Sequence, residues 1–183
     1  MTTYAERLAT LEPATSTEAA MTLFDDLPAI RSDDIRGTWV GRELATGHPS
    51  DGLLSASGWY GKQFDGPDSV HPLLFRNADG QVWISEPRRI PLKLAGRVPA
   101  RSVESLRRRV GGLAEPAFKT KKYRARIRDL EHRGVMTAAM IYDGLPIIDI
   151  FRRVDDDTVL GLMDQRDVDQ PYFFVLTRKA GTR

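Results

Sequence analysis

The chain has 183 residues, of which 41% are hydrophobic and 28% are charged, and it contains no cysteine. The apolar fraction excludes a disordered chain, and the absence of cysteine excludes disulfides, thiolate nucleophiles and zinc-finger sites. No apolar run approaches the ~18 residues of a membrane span. Glu6 and Arg7 stand where a secretory signal needs an apolar core, so we expect a cytoplasmic protein.

The net charge of +2 is too balanced to indicate nucleic acid by itself, but it is unevenly distributed. Residues 101–128 hold ten basic and two acidic side chains, a net of +8, which leaves −6 for the rest of the chain. A local cationic field attracts phosphates or an anionic membrane surface. The other interpretation is a solvated face with a loop, and both stay open.

The first thirty residues predict two helices. Apolar residues at helical spacing followed by a proline indicate one helix over Thr3–Glu12 and a second that ends before Pro28. Thr15-x-x-Glu18 has the pattern of a capping box at the start of the second helix. We expect residues 1–30 to form a helical segment packed on a single β domain that spans residues 31–183.

Patterns of period two, bounded by turn residues, then predict about ten strands. Asn77-Ala-Asp-Gly80 is typical of a hairpin connection. One later helix is predicted over Ser102–Val110, between Ser102 as N-cap and Gly111. The predicted strands are Gly37–Leu44, Leu53–Phe64, His71–Arg76, Gln81–Ser85, Ile90–Leu94, Lys122–Leu130, Val135–Tyr142, Ile147–Val154, Thr158–Met163 and Tyr172–Arg178.

Successive short strands without alternating helices favour a mainly β fold, an antiparallel closed barrel or a sandwich. Both faces of Val135–Tyr142 and of Tyr172–Leu176 are apolar, although a strand in contact with water normally has one polar face. Either the N-terminal helices or a second subunit must cover the outside. The helices are the simpler explanation, and a homodimer stays open.

Gly37-Thr-Trp39-Val-Gly41 opens the first predicted strand, and its glycines allow other backbone to approach the indole closely. In lipocalin-type barrels a tryptophan at this place packs against an arginine of the last strand. Arg178 is placed to do so here, and the contact would be a cation–π pair. We expect Trp39 to close one end of the fold and to contact no ligand.

Eight blocks of sequence, in order, match one known family. They are Gly37-Thr-Trp-Val-Gly41, Gly47-His-Pro-Ser-Asp-Gly52, Gly58-Trp-Tyr-Gly-Lys-Gln-Phe64, His71-Pro-Leu-Leu-Phe75, Arg133-Gly-Val135, Met140-Ile-Tyr-Asp-Gly-Leu-Pro-Ile147, Asp149-Ile-Phe-Arg152 and Leu160-Gly-Leu-Met-Asp164. The chain resembles the bacterial and fungal GXWXG family, whose motif part (here about 23–80) precedes a C-terminal domain of unknown function (here about 118–178). The resemblance implies a calycin-like β-barrel, similar to lipocalins and fatty-acid-binding proteins. It also implies binding of a hydrophobic ligand or phospholipid, and no established enzymatic activity.

Nitrobindins, which are small haem-binding barrels, also begin with a GXWXG segment. Their motif usually extends to a further glycine, where this chain has Glu43. They ligate haem through a histidine in the C-terminal part of the barrel. The histidines here are His48, His71 and His132, and none lies in the last 51 residues. We therefore disfavour nitrobindin-like haem binding and expect no cofactor.

The predicted function is binding of a small hydrophobic or amphipathic ligand, a phospholipid or fatty acyl compound, in a cavity of the barrel. The residues predicted to line the cavity are Trp59, Phe64, Met140, Phe151 and Met163. The residues predicted to bind an anionic head group are Lys62, His71, Arg124 and Arg126. Such a head group also suits peripheral contact with an anionic membrane.

The alternative is an enzyme that uses the cavity for acid–base chemistry, with Tyr142, Asp149 or His71 as acid or base. No nucleophile elbow, phosphate loop or metal-binding motif accompanies them, so we expect no metal. The basic strand near Tyr123 could read RNA by stacking. Tyr123 alternates with Ala125 and Ile127 and should share their apolar face, which disfavours nucleic acid.

Overall fold

The structure is a computed structural model that describes residues 2–89, 99, 101–105 and 116–181. The predicted strand Ile90–Leu94 lies outside these residues. So do residues 106–110 of the helix predicted over Ser102–Val110, whereas residues 101–105 are helical. None of the helices in the described ranges combines the length and the hydropathy of a membrane span.

Two capped helices precede the first strand: α1 (Tyr4–Leu11) and α2 (Thr17–Asp26). Thr3 and Glu6 cap α1 reciprocally, since each side chain accepts a hydrogen bond from the backbone N–H of the other. Ser16 caps α2 by accepting one bond from the backbone of its first turn. A capping box is therefore present at the first helix, whereas the sequence predicts it at the second.

Nine strands follow in the described part of the chain, and a short third helix, α3 (Leu53–Ser57), separates the first two. Every pair of neighbouring strands is antiparallel. The strands are β1 (Gly37–Leu44), β2 (Trp59–Gly66), β3 (Ser69–Arg76), β4 (Val82–Ile84), β5 (Ala125–His132), β6 (Val135–Tyr142), β7 (Ile147–Arg153), β8 (Thr158–Gln165) and β9 (Tyr172–Arg178).

The prediction of one strand over Leu53–Phe64 is wrong in its first half, where α3 lies. Gly52 and Gly58 flank this helix with φ angles of 83° and 80°, a left-handed conformation that favours glycine. The Glu43 carboxylate accepts hydrogen bonds from the free N–H groups of Leu54 and Ser55. Two special glycines and a carboxylate from β1 thus select a helical turn, which the alternation of apolar residues does not reveal.

Eight of these strands close into a ring. Their order is β1, β9, β8, β7, β6, β5, β3, β2, and β2 pairs back onto β1, while β4 pairs with β3 outside the ring. The closure between β3 and β5 is short and rests on the pair Val70–Ala125. β2 and β7 are four strands apart in either direction, so they face each other across the interior. The predicted mainly β, antiparallel fold with N-terminal helices is confirmed.

The wall of the ring has an apolar core on each side. Tyr172, Phe174 and Leu176 of β9 belong to the interior cluster. The alternate residues Phe173 and Val175 belong to a second cluster outside the ring, together with buried residues of α1 and α2. The N-terminal helices therefore cover the outer face, as predicted from the doubly apolar strands. A homodimer stays a prediction.

Arg178 and Trp39 form the predicted cation–π contact, with the guanidinium carbon 4.2 Å from the centre of the indole. Trp39 is fully buried, and its Nε1 donates a hydrogen bond to the carbonyl of Ile35 at 2.8 Å. Arg178 also donates to the carbonyls of Asp34, at 2.8 Å, and Arg36. The pair therefore joins the first and last strands to the segment that precedes β1.

A double-mutant cycle tests this contact. We expect Trp39→Ala to lower the free energy of unfolding by about 3–5 kcal/mol, because a large buried ring is lost and a cavity remains. Arg178→Ala should cost about 1–2 kcal/mol through the lost cation–π contact and stem packing. Denaturant unfolding of both single variants and the double variant should show less than additive losses. Additive losses would contradict the coupling.

Candidate functional site

An ion pair crosses the interior of the ring between opposite walls. Lys62 of β2 and Asp149 of β7 are almost completely buried, and Lys62 Nζ lies 2.8 Å from Asp149 Oδ2. The ammonium also donates hydrogen bonds to the carbonyl of Pro72 at 3.1 Å and to the hydroxyl of Tyr142 at 3.3 Å. The sequence assigns Lys62 to a head-group site and the other two to acid–base chemistry. The structure joins all three in one cluster.

Three aromatic rings surround the Lys62 ammonium. Its nitrogen lies 5.0 Å from the ring centre of Phe174, 5.6 Å from that of Tyr142 and 5.7 Å from that of Trp59. We name Trp59, Tyr142 and Phe174 the aromatic cage. Ring faces attract a cation, by about 2 kcal/mol or more when it is desolvated. The cage therefore offsets part of the cost of burying the ammonium, and it leaves that nitrogen against apolar carbon on several sides.

Two glycines make room for the aromatic cage. A methyl group at Gly41 would lie 2.2 Å from the Trp59 indole, and one at Gly161 would lie 2.3 Å from the Phe174 ring. The last glycine of the GXWXG motif thus receives Trp59 from the next strand. The sequence relates that glycine to Trp39, its neighbour in the motif, and misses this role.

Burial opposes the charge on each member of the cluster. It raises the pKa of the Asp149 carboxyl, while the nearby ammonium and the Tyr142 hydroxyl act in the other direction. It lowers the pKa of Lys62, which the Asp149 carboxylate partly counters. It also raises the pKa of Tyr142 well above its usual range, so the phenol keeps its proton. These directions bring the lysine and the carboxyl closer to exchanging a proton than in water.

A row of aromatic side chains runs from the aromatic cage to the edge of the sheet. Trp59, Phe75 and Trp83 are direct cross-strand neighbours on β2, β3 and β4, and the last two rings stack at 5.3 Å. Trp59 and Phe75 are among the least buried members of the interior cluster, and Trp83 is half-buried. The buried Nε1 of Trp59 has no hydrogen-bond partner among the described residues. We name these three residues the aromatic row.

His71 packs against an exposed residue rather than against the ion pair. Its ring stacks on that of Tyr123 with centres 4.4 Å apart, and burial lowers its pKa. Tyr123 is 43% exposed, whereas Ala125 and Ile127 are buried. The expectation that Tyr123 shares their apolar face is wrong, because β5 begins only at Ala125 and Tyr123 precedes it.

The two arginines predicted to bind a head group each have a carboxylate partner. Arg124 pairs with Glu86 at 2.5 Å, and Arg126 pairs with Asp143 at 2.8 Å. We name Arg124 and Arg126 the outer arginines. Their charges are balanced locally, so the cationic field of this strand is weaker than the basic residues alone suggest. Binding of an anionic head group or membrane surface by them stays a prediction.

The residues predicted to line the cavity all belong to or pack against the interior cluster. Phe64, Met140 and Phe151 are completely buried, and the rings of Phe64 and Phe151 meet edge to face at 5.8 Å. Met140 and Met163 are the cross-strand neighbours of Asp149 on its two sides. These apolar side chains fill the space beside the ion pair.

Sequence reasoning missed one residue of the site and one polar contact between β9 and β1. Phe174 belongs to the aromatic cage, and the Tyr172 hydroxyl hydrogen-bonds the Glu43 carboxylate. Glu43 also accepts a hydrogen bond from the Ser55 hydroxyl at 2.5 Å, which ties α3 to the ring. A usable signal was present, because residues that alternate back from Arg178 must share its interior face.

Comparisons with known proteins agree with the sequence blocks. The model of the GXWXG protein family matches residues 22–80, and that of a domain of unknown function (DUF4334) matches residues 123–178. A crystal structure of a protein from Thermomonospora curvata is 32% identical, with a TM-score of 0.71 over 96% of this chain and 98% of that one. The chain belongs to the GXWXG family. A search of curated proteins finds no match.

Substitution of Gly41 in this GXWXG protein tests whether the glycine leaves the space that Trp59 of the aromatic cage occupies. We expect Gly41→Ala to lower the free energy of unfolding by about 1–3 kcal/mol, because the new methyl must displace the Trp59 indole. Gly66→Ala is the matched control, since a methyl there lies at an ordinary 3.4 Å from Ser69. Denaturant titration of both variants checks this. An equal effect at the two glycines would refute the packing argument.

Removal of the ion pair tests whether it exists for stability. Lys62→Met or Asp149→Leu alone should cost about 3–5 kcal/mol, because one buried ionisable group loses its partner. The double variant Lys62→Met/Asp149→Leu should be at least as stable as the wild type, by up to about 4 kcal/mol, because no charge remains to be buried. A double variant clearly less stable than the wild type would show that the pair is a net stabilising contact.

The pH dependence of that comparison follows from the two pKa shifts. The raised pKa of Asp149 makes the wild type lose stability as the pH rises above the ordinary carboxyl value of ~3.9. The lowered pKa of Lys62 makes it regain stability as the pH rises toward ~10.4. The advantage of the double variant should therefore be largest near neutral pH and shrink toward both limits. If the difference in free energy of unfolding between the two proteins does not change with pH, the pKa values of Asp149 and Lys62 are not shifted in these directions.

Proposed function

We propose that this protein binds a small apolar or amphipathic ligand of the fatty acyl class inside the ring, with the polar end of the ligand at Lys62 and Tyr142. One observation carries the proposal: a charged cluster crosses the interior of the ring among the side chains of its apolar core. A buried ion pair seldom adds stability over apolar residues of similar volume. A function that needs these groups explains why they are there.

The charge balance of the cluster favours a particular kind of polar end. Asp149 already neutralises Lys62, so an anionic head group would add an unpaired charge to a buried site. A neutral group with an acceptor oxygen adds none. Such an oxygen would accept a hydrogen bond from the free Nε1 of Trp59. It would also accept one from the ammonium or the Tyr142 hydroxyl, if either exchanges a partner within the protein for the ligand. We therefore place neutral acyl derivatives ahead of free fatty acids.

We place the entry of the ligand into the ring along the aromatic row. The described interior side chains pack against one another in one cluster, so a ligand beside the ion pair must displace some of them. Trp59 and Phe75 keep more contact with solvent than most interior residues, and Trp83 continues the same apolar surface to the edge of the sheet. An acyl chain that replaces contacts with these rings exchanges one apolar surface for another, at little cost in burial.

A second candidate function is an enzyme that moves protons at the same cluster. The observation in its favour is that Lys62, Tyr142 and Asp149 contact one another, as groups that act on one substrate position must do. His71 has no part in it, since it stacks on Tyr123. An enzyme would change its ligand on incubation, whereas a carrier would return it intact, which mass spectrometry of the extracted ligand distinguishes.

Binding of methyl oleate, oleyl alcohol and oleate, followed by quenching of tryptophan fluorescence, tests the proposal. We expect saturable binding to the wild type, tighter for the two neutral compounds. The double variant Lys62→Met/Asp149→Leu should bind oleyl alcohol about tenfold or more weakly, because a hydrogen bond to a charged group is lost.

The outer arginines provide the matched control. Arg124→Ala/Arg126→Ala should bind all three compounds like the wild type, since both side chains have carboxylate partners. If this variant loses binding while Lys62→Met/Asp149→Leu binds normally, the outer arginines rather than Lys62 bind the polar end of the ligand. Absence of saturable binding to the wild type would refute the proposed function.

A further inference from the structure

The Lys62 nitrogen has the surroundings of a reactive amine rather than of a surface lysine. It lies among the three rings of the aromatic cage, and a carboxylate able to take its proton is 2.8 Å away. Burial in this setting lowers its pKa. A neutral amine is a nucleophile, and desolvation in an apolar site is one of the ways in which proteins activate lysine.

We propose that the polar end of the ligand is an aldehyde or ketone, and that Lys62 binds it covalently as an imine. This rests on the proposed function, because the carbonyl compound must first bind in the ring. Carbonyl groups are neutral and carry an acceptor oxygen, which is the kind of polar end that the balanced charges favour. Among neutral acyl derivatives, aldehydes and ketones are those that an amine converts reversibly into a covalent adduct.

The step balances with the groups at hand. Lys62 passes a proton to Asp149, and the free amine attacks the carbonyl carbon, forming the C–N bond while the π electrons move to oxygen. The negatively charged oxygen takes the proton from Asp149 and becomes a hydroxyl. The nitrogen, now positively charged, then gives one of its protons to the Asp149 carboxylate. The hydroxyl then leaves as water with this proton while the nitrogen lone pair forms the C=N bond. The product is a protonated imine.

The charges are the same before and after this reaction. The ammonium and carboxylate of the starting pair become an iminium and the same carboxylate, so the site buries no additional charge. Tyr142 keeps its proton and directs it at Asp149, and a carbonyl oxygen bound beside the amine would receive this hydrogen bond in place of the carboxylate. The unpartnered Nε1 of Trp59 is a second donor in the aromatic cage. One free donor and one donor that can exchange its partner therefore lie beside the nucleophile and the proton carrier.

Reductive trapping tests the imine. The full-length protein is incubated with decanal and cyanoborohydride at neutral pH, and the modified residue is identified by intact mass and peptide mapping. We expect one decyl group per chain, on Lys62, formed before the exposed Lys119, Lys122 and Lys179 react. Asp149→Asn should slow this labelling by about 10²-fold, because the proton carrier is lost.

Two controls separate the outcomes. Lys62→Arg keeps the cation but cannot form an imine, so decyl labelling should fall to the level of the exposed lysines. Decanol, which cannot react, reports binding alone. Binding of decanol without preferential labelling of Lys62 would overturn the imine and leave the proposed function intact. If neither decanol nor decanal binds, both proposals fail.

Discussion

The ion pair between Lys62 and Asp149 joins strands that face each other across the ring, and the rest of the interior is arranged around it. Taking two charges out of water is expensive, and their attraction recovers that cost only in good geometry. The aromatic cage lies on the ammonium, and glycines at Gly41 and Gly161 leave room for two of its rings. One electrostatic contact thus explains why large aromatics and glycines occupy neighbouring strands.

Two other parts of the structure serve stability, in contrast to the cluster at Lys62. The outer core under α1 and α2 consists mainly of apolar side chains, with the buried guanidinium of Arg152 on the Phe24 ring, and it holds the helices on the wall. At one place in the interior, Trp39 and Arg178 tie the first strand to the last with a cation that also bonds backbone carbonyls. Neither arrangement leaves a reactive group beside an apolar path. The cluster at Lys62 does, because the aromatic row leads from it to the edge of the sheet.

Much of the fold could be predicted from local pattern, because alternation and turn residues mark strands directly. β1 and β6 have the predicted bounds, and the helices cover the doubly apolar strands. α3 could not be predicted, because a carboxylate from β1 and two left-handed glycines decide it. Lys62, Tyr142 and Asp149 were predicted singly, but their meeting depends on the order of strands around the ring. Phe174 was missed because the alternation of side chains along β9 was not used to place it on the same face of the strand as Arg178.

Native mass spectrometry of the protein purified from its own host tests most directly whether the ion pair serves ligand binding. The account predicts that the wild type carries a small apolar compound, with or without a covalent link. It also predicts that the folded double variant Lys62→Met/Asp149→Leu, purified in the same way, carries much less of this compound. A compound retained equally by both proteins would contradict the central claim.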